Sequence, residues 1–186
     1  MVEVRIHGRG GQGGVTSAEL VALAAISEGK YAQAFPSFGP ERRGAPVLSF
    51  VRVDEKPIKM RYEIRNPDVV VVLDPSLIQV AKVTSGLKPD GIIIINTGKA
   101  IAAIKEEFAI SAKTATVDAS RIAREVLGLP ITNTTMIGAL VRASGIVQMD
   151  SLIDPLHHRF GRIAEKNIEV CKRAYSETIM EDNRRG

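Results

Sequence analysis

Val2, Val4 and Ile6 alternate with Glu3, Arg5 and His7, a period of two that predicts a strand packed on one face. Residues 20–26, Leu-Val-Ala-Leu-Ala-Ala-Ile, contain no polar side chain, so the first helix has no solvated face there and is either central or covered by another subunit. Residues 31–35 read as a second strand. Residues 47–53 read as another, and Asp54-Glu55-Lys56-Pro57 turns the chain into a short extended piece over residues 58–62, together an inserted hairpin. The valine run of residues 69–73 has the continuous apolar, β-branched character of a parallel strand buried on both faces. Residues 92–95 and 115–117 repeat it more briefly.

From Ser120 the period becomes helical, through Ile122, Ala123, Val126 and Leu127, then residues 136–147, then 152–160. A last helix places Ile163, Val170, Cys171 and Ala174 on one stripe, with Arg162, Glu165, Lys166, Glu169 and Lys172 mostly outside it. This order predicts an α/β fold: a three-layer Rossmann-like open sheet, mostly parallel, with an inserted β-hairpin and a C-terminal helical segment. One domain spans residues 1–180, and residues 181–186 form a polar, frayed tail.

The first strand meets the first helix through Gly8-Arg9-Gly10-Gly11-Gln12-Gly13. Glycine permits positive φ and close backbone approach, and a helix starting near Gly13 points unpaired N–H groups and its positive dipole end into the turn. That is a seat for an anion, with phosphate the best fit, and Arg9 adds a fork-shaped cation. Gly8, Gly10 and Gly13 also satisfy G-x-G-x-x-G in its strand-turn-helix setting. A nicotinamide site needs an acid roughly 20 positions on, at the end of the second strand. Here that strand ends in Pro36-Ser37, Glu28 comes too early and Glu41 lies in a loop. A phosphate-bearing ligand other than NAD therefore fits better. The glycines are also consistent with a tight connection that binds nothing.

Residues 35–46 carry three prolines and two glycines around Glu41, Arg42 and Arg43. Such a loop is irregular yet restricted, and its arginines either engage phosphate, carboxylate or a neighbouring subunit, or stand in solvent. Asp74-Pro75-Ser76 reads as a helix start with Asp74 as the cap. Gly8, Asp74, Asn96 and Asp118 all fall at the carboxyl ends of strands, where an open parallel sheet binds its ligands. The last three also suit caps or turns. His157 and His158 are adjacent, so on a helix they point about 100° apart and do not chelate together. His7 precedes the glycine turn without an acid or nucleophile beside it. No Ser-His-Asp, Cys-His or paired-carboxylate arrangement is visible.

Composition narrows the classes. The chain has 186 residues, 45% hydrophobic and 25% charged, with a mean hydropathy of +0.05, the profile of a globular protein with one substantial core. No apolar run approaches the roughly 18 residues of a membrane span, and no leader pattern opens the chain, so a cytoplasmic location is expected. The one cysteine, Cys171, rules out an internal disulfide or a cluster site built by this chain alone. A net charge of +4 is dispersed among acids, and only 4% of residues are aromatic, which argues against nucleic acid.

Taken together, the turn from Gly8 to Gly13, the run Phe38-Gly39-Pro40-Glu41-Arg42-Arg43-Gly44-Ala45-Pro46, Pro67-Asp68 before the valines, and Asn133 followed by Ile137-Gly138-Ala139-Leu140 resemble the gamma subunits of 2-oxoacid:ferredoxin oxidoreductases, pyruvate synthase in particular. The resemblance covers nearly the whole chain. It implies an α/β unit with no catalytic residues of its own, packed on alpha, beta and delta-type subunits. Those partners hold thiamine diphosphate and iron-sulfur clusters and pass electrons to ferredoxin. It further implies a part in handling coenzyme A, with Gly8, Arg9, Gly10, Gly11, Gln12 and Gly13 as phosphate contacts and Arg42 and Arg43 facing ligand or partner. No metal, membrane or nucleic-acid contact is implied. The alternatives are a stand-alone nicotinamide-dependent oxidoreductase and a purely structural subunit.

Overall fold

The computed structural model describes residues 1–37 and 44–181. β1 (Val2–Arg9) leads through the glycine turn into α1 (Gly14–Ser27), then β2 (Tyr31–Pro36) and β3 (Pro46–Asp54). β4 (Val69–Val72), the single-turn α2 (Leu77–Val80), β5 (Ile92–Asn96), α3 (Ile101–Phe108) and β6 (Lys113–Val117) follow. The remainder is α4 (Ala119–Leu127), α5 (Asn133–Ser144), α6 (Ile153–Phe160), α7 (Ala164–Glu177) and the short β7 (Ile179–Met180).

The seven strands form one sheet in the order β2-β3-β1-β4-β5-β6-β7. β1, β4, β5 and β6 are mutually parallel; β3 runs antiparallel to both β1 and β2, and β7 antiparallel to β6. Only β3 and β7 therefore oppose the common direction. Alternate residues of β4 feed two cores. Val69 and Val71 pack with α1, α5 and α7 on one face, while Val70 and Val72 pack with Leu77, Ile93 and Ile104 on the other. This is the three-layer, mostly parallel open sheet expected from the sequence.

An antiparallel pair is inserted in the sheet, but not the hairpin expected of residues 47–53 and 58–62. β3 pairs with β2 from Tyr31–Asp54 to Pro36–Ser49, and residues 58–62 form no strand. That segment covers one face of the β2–β3 pair instead, with the Ile58 carbonyl accepting from Gln33 Nε2 at 3.1 Å and the Tyr62 carbonyl accepting from Arg52 Nη2 at 2.8 Å. Its alternation is satisfied by packing, not by pairing.

Three further expectations change. β1 is covered on both faces, because Arg5 and His7 are buried as well as Val4 and Ile6. Over residues 20–26 α1 does keep an outward stripe, but an apolar one, with Leu23 51% and Ile26 53% exposed. Glu181, placed at the start of a frayed tail, is held: its carboxylate accepts from Lys105 Nζ at 2.6 Å and from the Thr114 N–H at 2.9 Å. The rest of that tail lies outside the described residues.

α5 packs across α7 at Gly138, where an added Cβ would collide with the Cys171 carbonyl oxygen. A glycine there lets two helix backbones touch. This gives the Ile137-Gly138-Ala139 run a packing reason.

Candidate ligand site at the strand rim

The register aligns the carboxyl ends of the parallel strands, pairing His7 with Val72, Val72 with Ile95, and Asn96 with Val117. Gly8, Asp74, Asn96 and Asp118 therefore share one rim, as the sequence suggested. α1 leaves β1 on one face toward β2 at the edge, whereas α2 leaves β4 on the opposite face toward β5. The gap between the ends of β1 and β4 is thus the topological switch point, where open α/β sheets bind ligands.

At this point the glycine turn is built from backbone hydrogen bonds. The Gly10 N–H donates to the Ala45 carbonyl at 2.9 Å and the Gly44 N–H to the Gly10 carbonyl at 3.2 Å, clamping the turn to the start of β3. Gln12 folds back so that its Oε1 accepts from the Arg9 N–H at 2.7 Å. Gly11 and Gly13 take φ of 91° and 75°, a region costly for any residue with a Cβ. Gly13 is the N-cap of α1 and supplies no side chain to it, and the first turn of the helix carries no acid. Among the described residues the Gly14, Val15 and Thr16 amides have no acceptor, which leaves the positive end of the helix open.

Arg9 does not project into that opening. Its Nε lies 2.8 Å from Asp74 Oδ2, its Nη1 donates to the Gly44 carbonyl at 3.0 Å and its Nη2 to Ser76 Oγ at 2.8 Å. Asp74 is consequently a latch partner and not a helix cap; Ser76 occupies the N-cap position of α2. Asp74 Oδ1 accepts from the Ser76 N–H at 3.0 Å and hydroxyl at 2.6 Å. Burial raises the Asp74 pKa, but the hydrogen bonds from Ser76 and Arg9 outweigh it and hold the carboxyl below its ordinary range. Asn96 joins neighbouring strand ends, donating to the Leu73 carbonyl at 2.9 Å and to Ser120 Oγ at 3.0 Å. Asp118 caps α4, accepting from the Arg121 N–H at 2.9 Å.

His7 is buried on the face opposite α1. Its Nε2 accepts from Arg5 Nε at 3.1 Å, and burial, reinforced by that guanidinium, pushes its pKa down to about 3. Arg5 itself donates to the Val83 carbonyl at 3.0 Å and the Ser85 carbonyl at 2.5 Å. His7 is accordingly a neutral acceptor that orients Arg5, with its Nε2 turned away from the turn. His157 stands on the surface, 3.4 Å from Glu165. Arg42 and Arg43 lie outside the described residues.

The sequence did not single out Thr132 and Asn133 as site residues, yet the structure brings them to the turn. Ser17 Oγ contacts the Asn133 carbonyl at 3.3 Å, and a Cβ added to Gly13 would stand 2.6 Å from Asn133 Nδ2. Between Gly11–Gly13 and Pro130–Asn133 lies a cleft of about 190 Å³. The available signal was Pro130 followed by Thr132-Asn133, a helix start; that it faces α1 depends on contacts across more than 100 residues.

The sheet order and this rim define an open α/β protein with an anion-receptive turn at its switch point. A model of the family described as pyruvate ferredoxin/flavodoxin oxidoreductase matches residues 3–177. The chain belongs to that family, as a gamma-type subunit. It is 50% identical over 182 residues to the pyruvate/ketoisovalerate oxidoreductases common subunit gamma of Thermococcus kodakarensis, covering 97% of this chain and 98% of that one. The crystal structure of the pyruvate oxidoreductase subunit PORC from Thermotoga maritima superposes with a TM-score of 0.86 at 36% identity, over 97% and 98% of the two chains. The 2-oxoglutarate:ferredoxin oxidoreductase of Magnetococcus marinus, solved with coenzyme A bound, shares the fold at a TM-score of 0.76 and 20% identity; 94% of this chain matches 30% of that one. Among the described residues no helix is long and apolar enough to cross a membrane.

Proposed function

We propose that, within a multi-subunit 2-oxoacid:ferredoxin oxidoreductase, this chain receives phosphate of coenzyme A at the Gly8–Gly13 turn, braces the catalytic subunits and performs no chemistry alone. The observation that carries the reading is the turn itself: left-handed Gly11 and Gly13 open onto the unpaired amides of α1 at the topological switch point. A solved relative of the same fold binds coenzyme A. The complex converts a 2-oxoacid, pyruvate foremost, to acyl-CoA or runs in reverse, in the cytoplasm. Alpha, beta and delta-type subunits supply thiamine diphosphate and the clusters that feed ferredoxin. One buried cysteine cannot ligate a cluster here.

The phosphate lies along the Gly8–Gly13 turn with the amides of Gly11 and Gly13 as donors, the Gly10 N–H being given to the Ala45 carbonyl. Arg9 and Gln12 hold the turn's shape, and Arg42 and Arg43, outside the described residues, meet either the ligand or a partner subunit. One helix terminus stabilises an exposed anion by only about 0.3–1 kcal/mol, so affinity requires the assembled complex. The apolar Leu23 and Ile26 on α1 offer a face for a neighbouring subunit.

The stand-alone nicotinamide reading is disfavoured by topology. The strand beside β1 on the ribose side is antiparallel β3, whose Pro46 pairs with Arg9, so no acid ends a strand there. Native mass spectrometry of the tagged chain purified anaerobically from its own cells should recover the thiamine- and cluster-bearing subunits. Equilibrium dialysis should show that removing this subunit weakens coenzyme A binding by the rest. Undiminished binding by the remaining subunits would refute the coenzyme A role, and recovery of the chain alone would refute the complex.

A further inference from the structure

We infer that the cleft between the N-termini of α1 and α5 is the second half of the anion seat, with Thr132 Oγ1 and Asn133 Nδ2 as its side-chain donors and a phosphoryl group as its occupant. The inference rests on the proposed encounter of a phosphate ester with the glycine turn and adds to it the residues on the far wall.

Both helices are long enough to present a full positive terminus, with 14 and 12 residues, and both termini face the same space across Gly13 and Asn133. Neither first turn contains an acid, so no carboxylate on either terminus opposes an anion. The independent observation lies in the side chains. Thr132 is 8% exposed and Asn133 7%, depths at which polar groups are almost always paired. Yet among the described residues Thr132 Oγ1 caps nothing, and the Asn133 side chain has only a long contact at 3.4 Å from Thr134 Oγ1 to its Oδ1, leaving Nδ2 without an acceptor. Both residues line the cleft. Two donors without protein acceptors among the described residues, on the wall of a cleft they share with the glycine turn, are free to take an oxygen that enters it.

Size selects the ligand class. Whole-ligand pockets run from about 300 to 1,000 Å³, whereas this cleft is about 190 Å³. It takes a phosphoryl group and leaves the remainder of the molecule outside. Because the Arg9 fork is turned to Asp74 and Ser76, recognition here is by neutral donors and helix termini. Such a site favours a phosphate oxygen already delivered by a larger ligand.

The test uses the intact complex carrying Thr132→Val or Asn133→Asp in this subunit. Asp retains the shape and suits a helix start, but replaces the donor with a negative charge. Hydrogen exchange is read on residues 11–16 and 132–136 with coenzyme A and, separately, with inorganic pyrophosphate. In the unmodified complex both ligands should slow exchange in both segments. Asn133→Asp should abolish the pyrophosphate effect and raise KM for coenzyme A at least tenfold with kcat changed less than twofold; Thr132→Val should raise KM about threefold. Protection by coenzyme A at residues 11–16 alone, with KM unaltered in Asn133→Asp, overturns this inference and leaves the coenzyme A reading intact. Protection of both segments by pyrophosphate but of neither by coenzyme A sustains the seat and overturns the coenzyme A reading. Protection of neither segment by either ligand overturns both.

Discussion

Arg9 Nε stands 2.8 Å from Asp74 Oδ2, and the pair latches the end of β1 to the end of β4 across the switch point of the sheet. A cation that sequence alone offers to a ligand is thereby committed to the protein. The remaining donors of Arg9 reach the Gly44 carbonyl and Ser76 Oγ, so the guanidinium ties the turn to two other segments, the approach to β3 and the connection from β4 to α2.

Asp74→Asn tests the latch. The pair is partly exposed, with side chains 31% and 22% accessible, so its loss should cost only about 1 kcal/mol at neutral pH. The folded Asp74 pKa is depressed, so this stabilisation is present above the unfolded value, about 3.9, and disappears as pH falls through the folded one. The Tm gap between the parent and Asp74→Asn should be open at pH 7 and close in acid. A gap independent of pH would show that the charge of Asp74 contributes nothing.

His7 should make the protein acid-sensitive in a different window. Its pKa falls to about 3 through burial first and Arg5 second, against an unfolded value of about 6.5. Between these values the unfolded chain binds the extra proton, so stability rises with pH and is lost as pH falls from about 6.5. The slope approaches roughly 1 kcal/mol per pH unit near pH 5. Urea unfolding at pH 7 and pH 5 should show a larger loss for the parent than for His7→Gln. Equal losses would mean that His7 does not stay neutral in the fold.

Much of this architecture is written locally. The valine run of β4 and the isoleucines of β5 can only be strands buried on both sides, and Gly11-Gln12-Gly13 can only be a turn before an apolar helix. What the sequence left obscure depends on distant partners. β3 sits between β1 and β2 because it pairs with both, an arrangement that alternation alone does not encode. The polar positions Arg5 and His7 read as solvated until the segment bearing the Val83 and Ser85 carbonyls closes over them. Arg9 looked like a ligand cation because its partner Asp74 lies 65 residues away. The site was legible on the α1 side and not on the α5 side for the same reason.

Gly138 should be irreplaceable on packing grounds. A Cβ there meets the Cys171 carbonyl and lies 3.0 Å from the Tyr175 backbone nitrogen, and backbone cannot move aside as a side chain tip can. Gly138→Ala should cost about 1–3 kcal/mol or more, read as a drop in the denaturant midpoint. Near-parental stability would show that α5 and α7 can slide apart freely.

Cys171, beneath that same contact, should be inert. It is fully buried, and burial pushes its thiol pKa up to about 12, removing the reactive thiolate at ordinary pH. Iodoacetamide at pH 8 should leave the native chain unlabelled and modify it only as fast as it unfolds. Labelling at the rate of a free thiol would place Cys171 at a surface.

Gly13 and Asn133 should prove coupled. Gly13→Ala carries two penalties: a residue with a Cβ at φ 75°, roughly 1–2 kcal/mol, and the approach of that Cβ to Asn133 Nδ2 at 2.6 Å. Asn133→Ala removes the contacts with Nδ2 and Cγ, leaves only Cβ at 3.2 Å from the added atom, and does not change the first penalty. In a double-mutant cycle Gly13→Ala should therefore cost less in the Asn133→Ala background than in the parent, by about 0.5–3 kcal/mol. Chemical denaturation of the four proteins measures the difference. Additive costs would separate α1 from α5 at this point, and with them the two walls of the cleft; a coupling of the expected sign ties the glycine turn to the start of α5.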